Sequence, residues 1–475
     1  MKLSKIAFSI GLLFLFYSCN KKIAAQKPPN ILLICIDDLR PELKSFGASY
    51  IVSPNIDQLA EKGISFEKHY VNAPSCGPSR YTLLTGQYGP AENDALFKRA
   101  KKMAKSPKKI DPSMPEWFKL NGYTTVSVGK VSHHPGGRGG KDWNDSTKVE
   151  MPNAWDKHLL PVQNWQHPKG VMHGLANGEI RVKANEMDVF QATEGNDDIY
   201  PDGLIANEAI TQLKELSLDT TKPFFLAVGI IKPHLPFGAP KKYLDLYENV
   251  ELPAINHPKK PKGKTTWHNS GEFMKYNRWG KNPTNDQNFA NDVRKHYAAA
   301  VSYADAQVGK ILEELKSTGA DKNTIIVLWG DHGWHLGEHA IWGKHSLFEE
   351  SLHSPLIIST PTLKKVNKKT NAIVETLDIF PTLCDLTDLE IPKFAQGKSL
   401  VELLQNPEKK TDYSALSYTK NTNTLRTNSY RLTLHKDGFV ELYNHNSSEK
   451  ETKNIANNQS KLVGELKDRL NSKKK

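Results

Sequence analysis

Along the chain, apolar residues form short unbroken runs separated by stretches in which they recur every three or four positions. The runs over residues 30–36, 124–128, 223–230, 324–329 and 355–359 are continuous rather than alternating, as in strands buried on both faces. Between them, residues 55–62, 115–121, 203–216 and 293–317 carry helical spacing, the last through Ala298, Val301, Ala304, Val308 and Ile311. This alternation predicts an α/β fold, a mostly parallel sheet with helices on both faces. In such sheets the ligand crevice lies beyond the carboxyl ends of the strands. The residues found there are polar: Asp37-Asp38, Gly129-Lys130, Lys232-Pro233-His234 and Asp331-His332.

Two long irregular stretches, 133–200 and 255–290, hold Trp143, Trp155, Trp165, Trp267 and Trp279. Loops of that length are functional or disordered; their tryptophans favour ordered loops around a site and fit equally well as buried anchors that pin a long loop, so none is named as a site residue. After about residue 370 the pattern changes. Residues 377–388 read as a helix, 430–435 and 439–443 as a hairpin turning at Lys436-Asp437-Gly438, and a helix starts near Ser460. The expected organisation is a leader over 1–18, a linker over 19–27, a catalytic domain over 28–370 and a smaller α+β subdomain with an antiparallel sheet over 371–475.

The leader follows from Lys2 and Lys5, an apolar stretch over residues 6–17 and the break at Ser18-Cys19. A cysteine there resembles a lipoprotein signal with a lipid anchor at Cys19, although Phe16 and Tyr17 depart from the usual lipobox; a plain secretory peptide stays open. No later run is long enough to cross a bilayer. Export to the periplasm or cell surface is expected. The net charge of +12 favours a polyanionic partner through long-range attraction, a weak argument because Lys473, Lys474 and Lys475 form a solvated tail. Four cysteines are too few for a disulfide framework in an exported protein. Cys35 and Cys384 sit in apolar runs as small core residues, whereas Cys76 stands in a polar, Gly/Pro-rich setting.

That setting is Cys76-Gly77-Pro78-Ser79-Arg80, followed by Leu83-Leu84-Thr85-Gly86. It resembles the signature C-x-[PA]-[SA]-R of the type I sulfatase family, in which the cysteine is converted to formylglycine (3-oxoalanine). A helix N-terminus with an early proline explains Pro78 but not Arg80. The resemblance continues in the segment from Gly330 to Lys344, which is similar to the DHGWxLGEHxxWxK pattern of the iduronate-2-sulfatase branch. It extends to Gly129-Lys130 with His133, and to the segment from Phe224 to Phe237 carrying His234.

The resemblance implies an alkaline-phosphatase-like α/β sandwich with a small C-terminal antiparallel sheet, and a sulfuric ester hydrolase. It implies calcium held by Asp37, Asp38, Asp331 and His332 together with the converted Cys76. An aldehyde at that position hydrates to a diol: one hydroxyl attacks sulfur, the other expels sulfate, which a serine could not do unaided. Adjacent carboxylates such as Asp37 and Asp38 call for a cation. Arg80 is expected to steady the diol, Lys130 and Lys344 to bind sulfate oxygens, His133 to accept a proton, and His234 to protonate the leaving alcohol. His134, His335 and His339 have no assigned chemistry.

The implied partners are a sulfated glycan (ulvan, carrageenan or glycosaminoglycan type) and a formylglycine-generating or anaerobic sulfatase-maturating enzyme. Nucleic acid is not expected, and the membrane is met only through an anchor at Cys19. Three rivals stand beside this reading: a phosphodiesterase or phosphonate monoester hydrolase of the same superfamily, a non-catalytic surface glycan-binding protein, and a thiol hydrolase using unmodified Cys76.

Overall fold

The structure is a computed structural model that describes residues 27–137, 148–161, 165, 168–181 and 183–473. The leader and Cys19 lie outside the described residues. An eight-stranded sheet forms the centre, built from β1 (Asn30–Ile36), β2 (Ile64–Tyr70), β3 (Thr124–Gly129), β4 (Lys157–Leu159), β5 (Phe224–Ile230), β6 (Thr324–Gly330), β7 (Leu356–Ser359) and β8 (Lys368–Glu375). Their order is β8-β2-β7-β6-β1-β5-β3-β4. Only β7 runs against its neighbours, so the sheet is mostly parallel as the alternation requires.

β1 is buried along its whole length, and its side chains alternate between two cores. Leu32, Ile34 and Ile36 pack with the long helix Gln287–Ser317 and the helix Pro201–Leu218. Ile31, Leu33 and Cys35 face the other layer, with Leu83 and Leu84 of helix Cys76–Thr85, Phe118 and Cys384. A strand with two apolar faces is the physical reason for the continuous run, and the two layers make the sandwich. Cys35 and Cys384 are buried core residues.

The smaller unit is an antiparallel sheet of β9 (Ala415–Tyr418), β10 (Thr422–Arg426), β11 (Tyr430–His435) and β12 (Val440–Asn444). Leu466 and Leu470 of the terminal helix Ser460–Lys473 cover Leu416, Leu425, Leu432 and Leu442. A buried ionic network docks it on the large domain: Arg431 pairs with Glu349 and Glu451, and Arg426 Nε lies 3.1 Å from Glu349 Oε2.

The boundary read at residue 370 falls inside β8, which belongs to the large sheet. Ile379 and Leu383 of the following helix, and Leu403 and Leu404 further on, also pack in the large domain's core. The polar start of β8 (Lys368, Lys369) marks an edge strand rather than a domain end.

Candidate active site

Register sets the site. Ile36 is paired with Gly330 of β6 and with Ile230 of β5, and Gly129 of β3 with Gly229. The carboxyl ends of four adjacent strands therefore finish level, at strand spacings of about 4.8 Å. Asp37, Lys130 and Asp331 each follow one of these ends directly. Two backbone bonds fix the junction: Asp37 N–H donates to Ile230 O (3.1 Å) and Asp331 N–H to Ile36 O (3.1 Å). Gly229 is required here, because a Cβ on it would lie 2.0 Å from the carbonyl carbon of Lys130. Asp38 turns out of line with φ of 54°, a left-handed backbone that Asp tolerates better than most residues.

Opposite these ends, helix Cys76–Thr85 begins at Cys76 itself. The helix dipole favours an anion at that terminus, although Gly77 N–H is taken by Asn93 Oδ1 and Ser79 N–H by Ser75 O. Gly77 admits a close approach, since a Cβ there would sit 2.3 Å from Asn93 Cα. Cys76 is 2% exposed. Its Sγ lies 3.2 Å from His332 Nε2, 3.4 Å from Lys344 Nζ and 3.9 Å from Asp38 Oδ1.

Three buried carboxylates converge with three cations. Arg80 Nε donates to Asp331 Oδ2 (3.0 Å) and Nη2 to Asp37 Oδ1 (3.1 Å), while Nη1 donates to the carbonyls of Lys130 and Val131. Lys130 Nζ donates to Asp37 Oδ2, and Lys344 Nζ to Asp38 Oδ1 at 2.8 Å. Burial would raise the Asp37 carboxyl, but Lys130 and Arg80 outweigh it and hold it well below its usual range. Burial pushes Asp38 up to about 7 against the pull of Lys344. Burial and the charge of Asp37 also push Asp331 upward.

Such a site has more carboxylate than its side chains can comfortably keep ionised, and Asp38 Oδ2 is buried with no hydrogen-bond partner. Ligand atoms of Asp37, Cys76, Asp331 and His332 all lie within 4.8 Å of one another, as do those of Asp37, Asp38, Cys76 and His234. A hard divalent cation with oxygen ligands fits this donor set and would take the orphaned oxygen.

The histidines are neutral donors of lone pairs. His332 Nδ1–H donates to Gly333 O (2.9 Å) and His234 Nδ1–H to Leu235 O (2.7 Å), which leaves Nε2 of each free to accept. Burial, reinforced by Lys344 at His332 and by Lys130 at His234, lowers both well below the usual imidazole range. His234 is therefore presented as a proton acceptor in this state, and it must gain a proton before it can act as an acid. His133 packs edge-on against His134, and its buried Nδ1 has no partner. Burial and Lys130 lower its pKa.

The structure brings Cys76, Asp37, Asp38, Lys130, His234, Asp331, His332 and Lys344 together. Arg80 sits beneath them, its guanidinium spent on Asp37, Asp331 and two carbonyls. In this arrangement it holds Asp37 and Asp331 facing each other. Lys232, at a strand end like Lys130, donates to the carbonyls of His173 (2.9 Å) and Pro236 (2.7 Å), and Asp202 caps the N–H groups of Ile231 and Lys232. Those bonds fix the loop that carries His234. His335 is a satisfied core group, bonded to Glu338 O and Ser346 Oγ.

Two residues escaped the sequence reading. Glu272 faces Lys344 (3.8 Å) and His345 (3.1 Å), and His268 Nε2–H donates to Lys344 O. Both come from the irregular stretch 255–290, where no motif or periodicity marks them; Trp267 beside His268 was the nearest signal.

The helix terminus, Lys344 and a carboxylate cluster able to hold a cation thus gather around Cys76, which suits hydrolysis of an ester of a tetrahedral oxyanion. Comparison with known proteins narrows the class. A family model described as Sulfatase matches residues 29–389, and one described as N-sulphoglucosamine sulphohydrolase, C-terminal, matches 337–475. A sulfatase of Formosa agariphila is 32% identical over 486 residues, covering 94% of this chain and 88% of that protein. Human iduronate 2-sulfatase is 31% identical over 406 residues, covering 76% and 70%. Among solved structures, a protein in complex with its substrate D-glucosamine-2-N,6-O-disulfate superposes with a TM-score of 0.72 at 21% identity, covering 94% and 97%. The phosphonate monoester hydrolase of Agrobacterium radiobacter gives 0.70 at 22%, covering 94% and 95%. The chain belongs to the sulfatase family, and it is a sulfuric ester hydrolase on the alkaline-phosphatase-like fold.

Proposed function

We propose that the protein removes sulfate from a sulfated glycan, using a nucleophile made by oxidising Cys76 to formylglycine and a calcium ion held by Asp37, Asp38, Asp331 and His332. The observation that carries this is the convergence of His332, Lys344 and Asp38 within 3.9 Å of Cys76 Sγ, with an unpartnered carboxylate oxygen beside it. When bound, the cation would polarise the sulfate and favour the ionised hydroxyl of the hydrated aldehyde.

The chain's own residues do the rest. Lys344 and Lys130 place positive charge where sulfate oxygens gather negative charge in the transition state. Arg80 keeps Asp37 and Asp331 facing each other, so the ligands are preorganised. His133, with a free buried nitrogen, accepts the proton whose loss releases sulfate. His234, once protonated, donates to the departing sugar oxygen, with Lys344 as the permanently charged donor beside it. Seclusion of Cys76 keeps bulk water away from the reacting centre.

A glycan substrate is supported by the iduronate 2-sulfatase relative and by the glucosamine disulfate substrate bound in a protein of the same fold. Export, with or without a lipid on Cys19, belongs to this proposal and rests on the leader. The likeness to a phosphonate monoester hydrolase keeps a second reading alive. Turnover of 4-nitrophenyl sulfate against a 4-nitrophenyl phosphodiester separates the two, followed by sulfate release from glycosaminoglycan, ulvan and carrageenan oligosaccharides. Faster turnover of the phosphodiester, with no sulfate released from any glycan, would overturn the proposal.

A further inference from the structure

Beside the reacting centre lies a groove of about 330 Å³, lined by Ser75, Pro78, Asn93, His345, Thr419 and Lys420 among others. Sites for small ligands begin at roughly 300 Å³. Its position follows from covalent neighbours. Ser75 precedes Cys76 and His345 follows Lys344, and the side chains of that pair lie 3.4 Å apart. Two residues of the groove's wall, Ser75 and His345, are thus chain neighbours of Cys76 and Lys344, with Cα atoms about 3.8 Å from theirs.

The opposite wall is the turn between β9 and β10 of the small sheet. Here Lys420 is exposed and, among the described residues, unpaired. No carboxylate lines the groove; Glu272, outside the lining, pairs with His345 on the other wall. The turn is held rigidly: Tyr418 N–H donates to Asn72 O (2.9 Å), Gly89 N–H to the Tyr418 hydroxyl (2.8 Å) and Asn72 Nδ2 to Leu416 O (2.8 Å). Tyr418 itself lines the groove and offers a ring for a sugar to pack on. Asn93 Oδ1 is taken by Ser75 Oγ and Gly77 N–H, which turns its amide into a fixed part of the wall.

We propose that this groove binds the sugar unit next to the one losing sulfate, and that Lys420 recognises an anionic substituent, sulfate or carboxylate, on that unit. The inference rests on the sulfatase reading and adds the substrate feature that the small domain selects. A charge-assisted contact from a flexible ammonium to an anion on a sugar suits a site that reads charge at a given reach rather than one fixed geometry.

The test is calorimetric binding of a heparin tetrasaccharide and of a carrageenan tetrasaccharide to wild type, Lys420→Ala, Lys420→Arg and the remote control Lys316→Ala. The proposal expects at least one tetrasaccharide to bind, about tenfold weaker binding by Lys420→Ala, near-full retention by Lys420→Arg and no change in the control. Binding of neither sugar to wild type, an unchanged affinity in Lys420→Ala, or an equal loss in Lys316→Ala overturns it. Turnover of 4-nitrophenyl sulfate by the same four proteins reads the sulfatase activity separately. It is expected to be equal in all of them, and its absence from wild type would count against the function while leaving the binding result to judge the groove.

Discussion

Replacing Lys344 by alanine separates the two effects its ammonium is placed to exert. Nζ lies 2.8 Å from Asp38 Oδ1 and 3.4 Å from Cys76 Sγ, so it cancels a carboxylate while facing the reacting atom. Arg80, Lys130 and Lys344 face Asp37, Asp38 and Asp331 in this buried site, with Glu272 on the far side of Lys344. Without Lys344 the site loses one positive charge. Two unit charges about 4 Å apart interact by roughly 4 kcal/mol at an effective dielectric near 20. A third of that, about 1.4 kcal/mol, is tenfold in affinity, so calcium is expected to bind at least about tenfold more tightly to the variant. Turnover moves the other way. Loss of one buried donor to developing charge lowers kcat by about 10²–10³. Titration calorimetry with calcium and steady-state hydrolysis of an aryl sulfate read both quantities on one preparation. A kcat within about threefold of wild type, or weaker calcium binding, would refute the reasoning.

Other expectations follow from the same geometry. Asp38→Asn, which removes the orphaned carboxylate oxygen, is expected to weaken calcium binding by roughly two orders of magnitude in the same titration. His69 donates and accepts within the core, to Ser354 O and Thr376 Oγ1, and burial lowers its pKa to about 3. The unfolded chain, with a pKa near 6.5, therefore holds the proton between these values. The stability contributed by neutral His69 is complete above about pH 6.5 and is lost as pH falls toward 3. Urea unfolding at about pH 7.5 and 5.5 should show wild type losing about 1.4 kcal/mol more than His69→Gln; equal losses would show that this histidine is not the linked group. Arg431→Ala removes the guanidinium that Glu451 and Glu349 share, leaving them Arg426 and His445 alone, and should cost about 3 kcal/mol by denaturant unfolding.

The large sheet was legible where burial is complete. β1, β3, β5 and β6 are apolar on both faces, so a continuous run marks them to within a residue or two. β2, Ile64–Tyr70, was not read as a strand because Glu67 and Lys68 are only partly buried and His69 is a polar core residue. β8 opens with exposed lysines at the sheet edge, which hid it and drew the domain boundary too early. The site's carboxylates and lysines were readable because strand ends are short in sequence and the parallel register brings them level. The partners of Arg80 were not, because a motif names a residue without saying which of its neighbours will claim its donors. Glu272 and His268 were invisible for a related reason: they reach Lys344 from a loop whose path is set by tertiary packing alone. Lys420 lies farther still, on a turn of the small domain that only docking brings beside Cys76.

The most direct test of the account is peptide mass spectrometry across Cys76, on protein co-produced with a formylglycine-generating or anaerobic sulfatase-maturating enzyme. The account predicts a loss of about 18 Da at that residue, with the hydrate beside it. A Cys76 that remains an unmodified thiol in protein that still releases sulfate would contradict it.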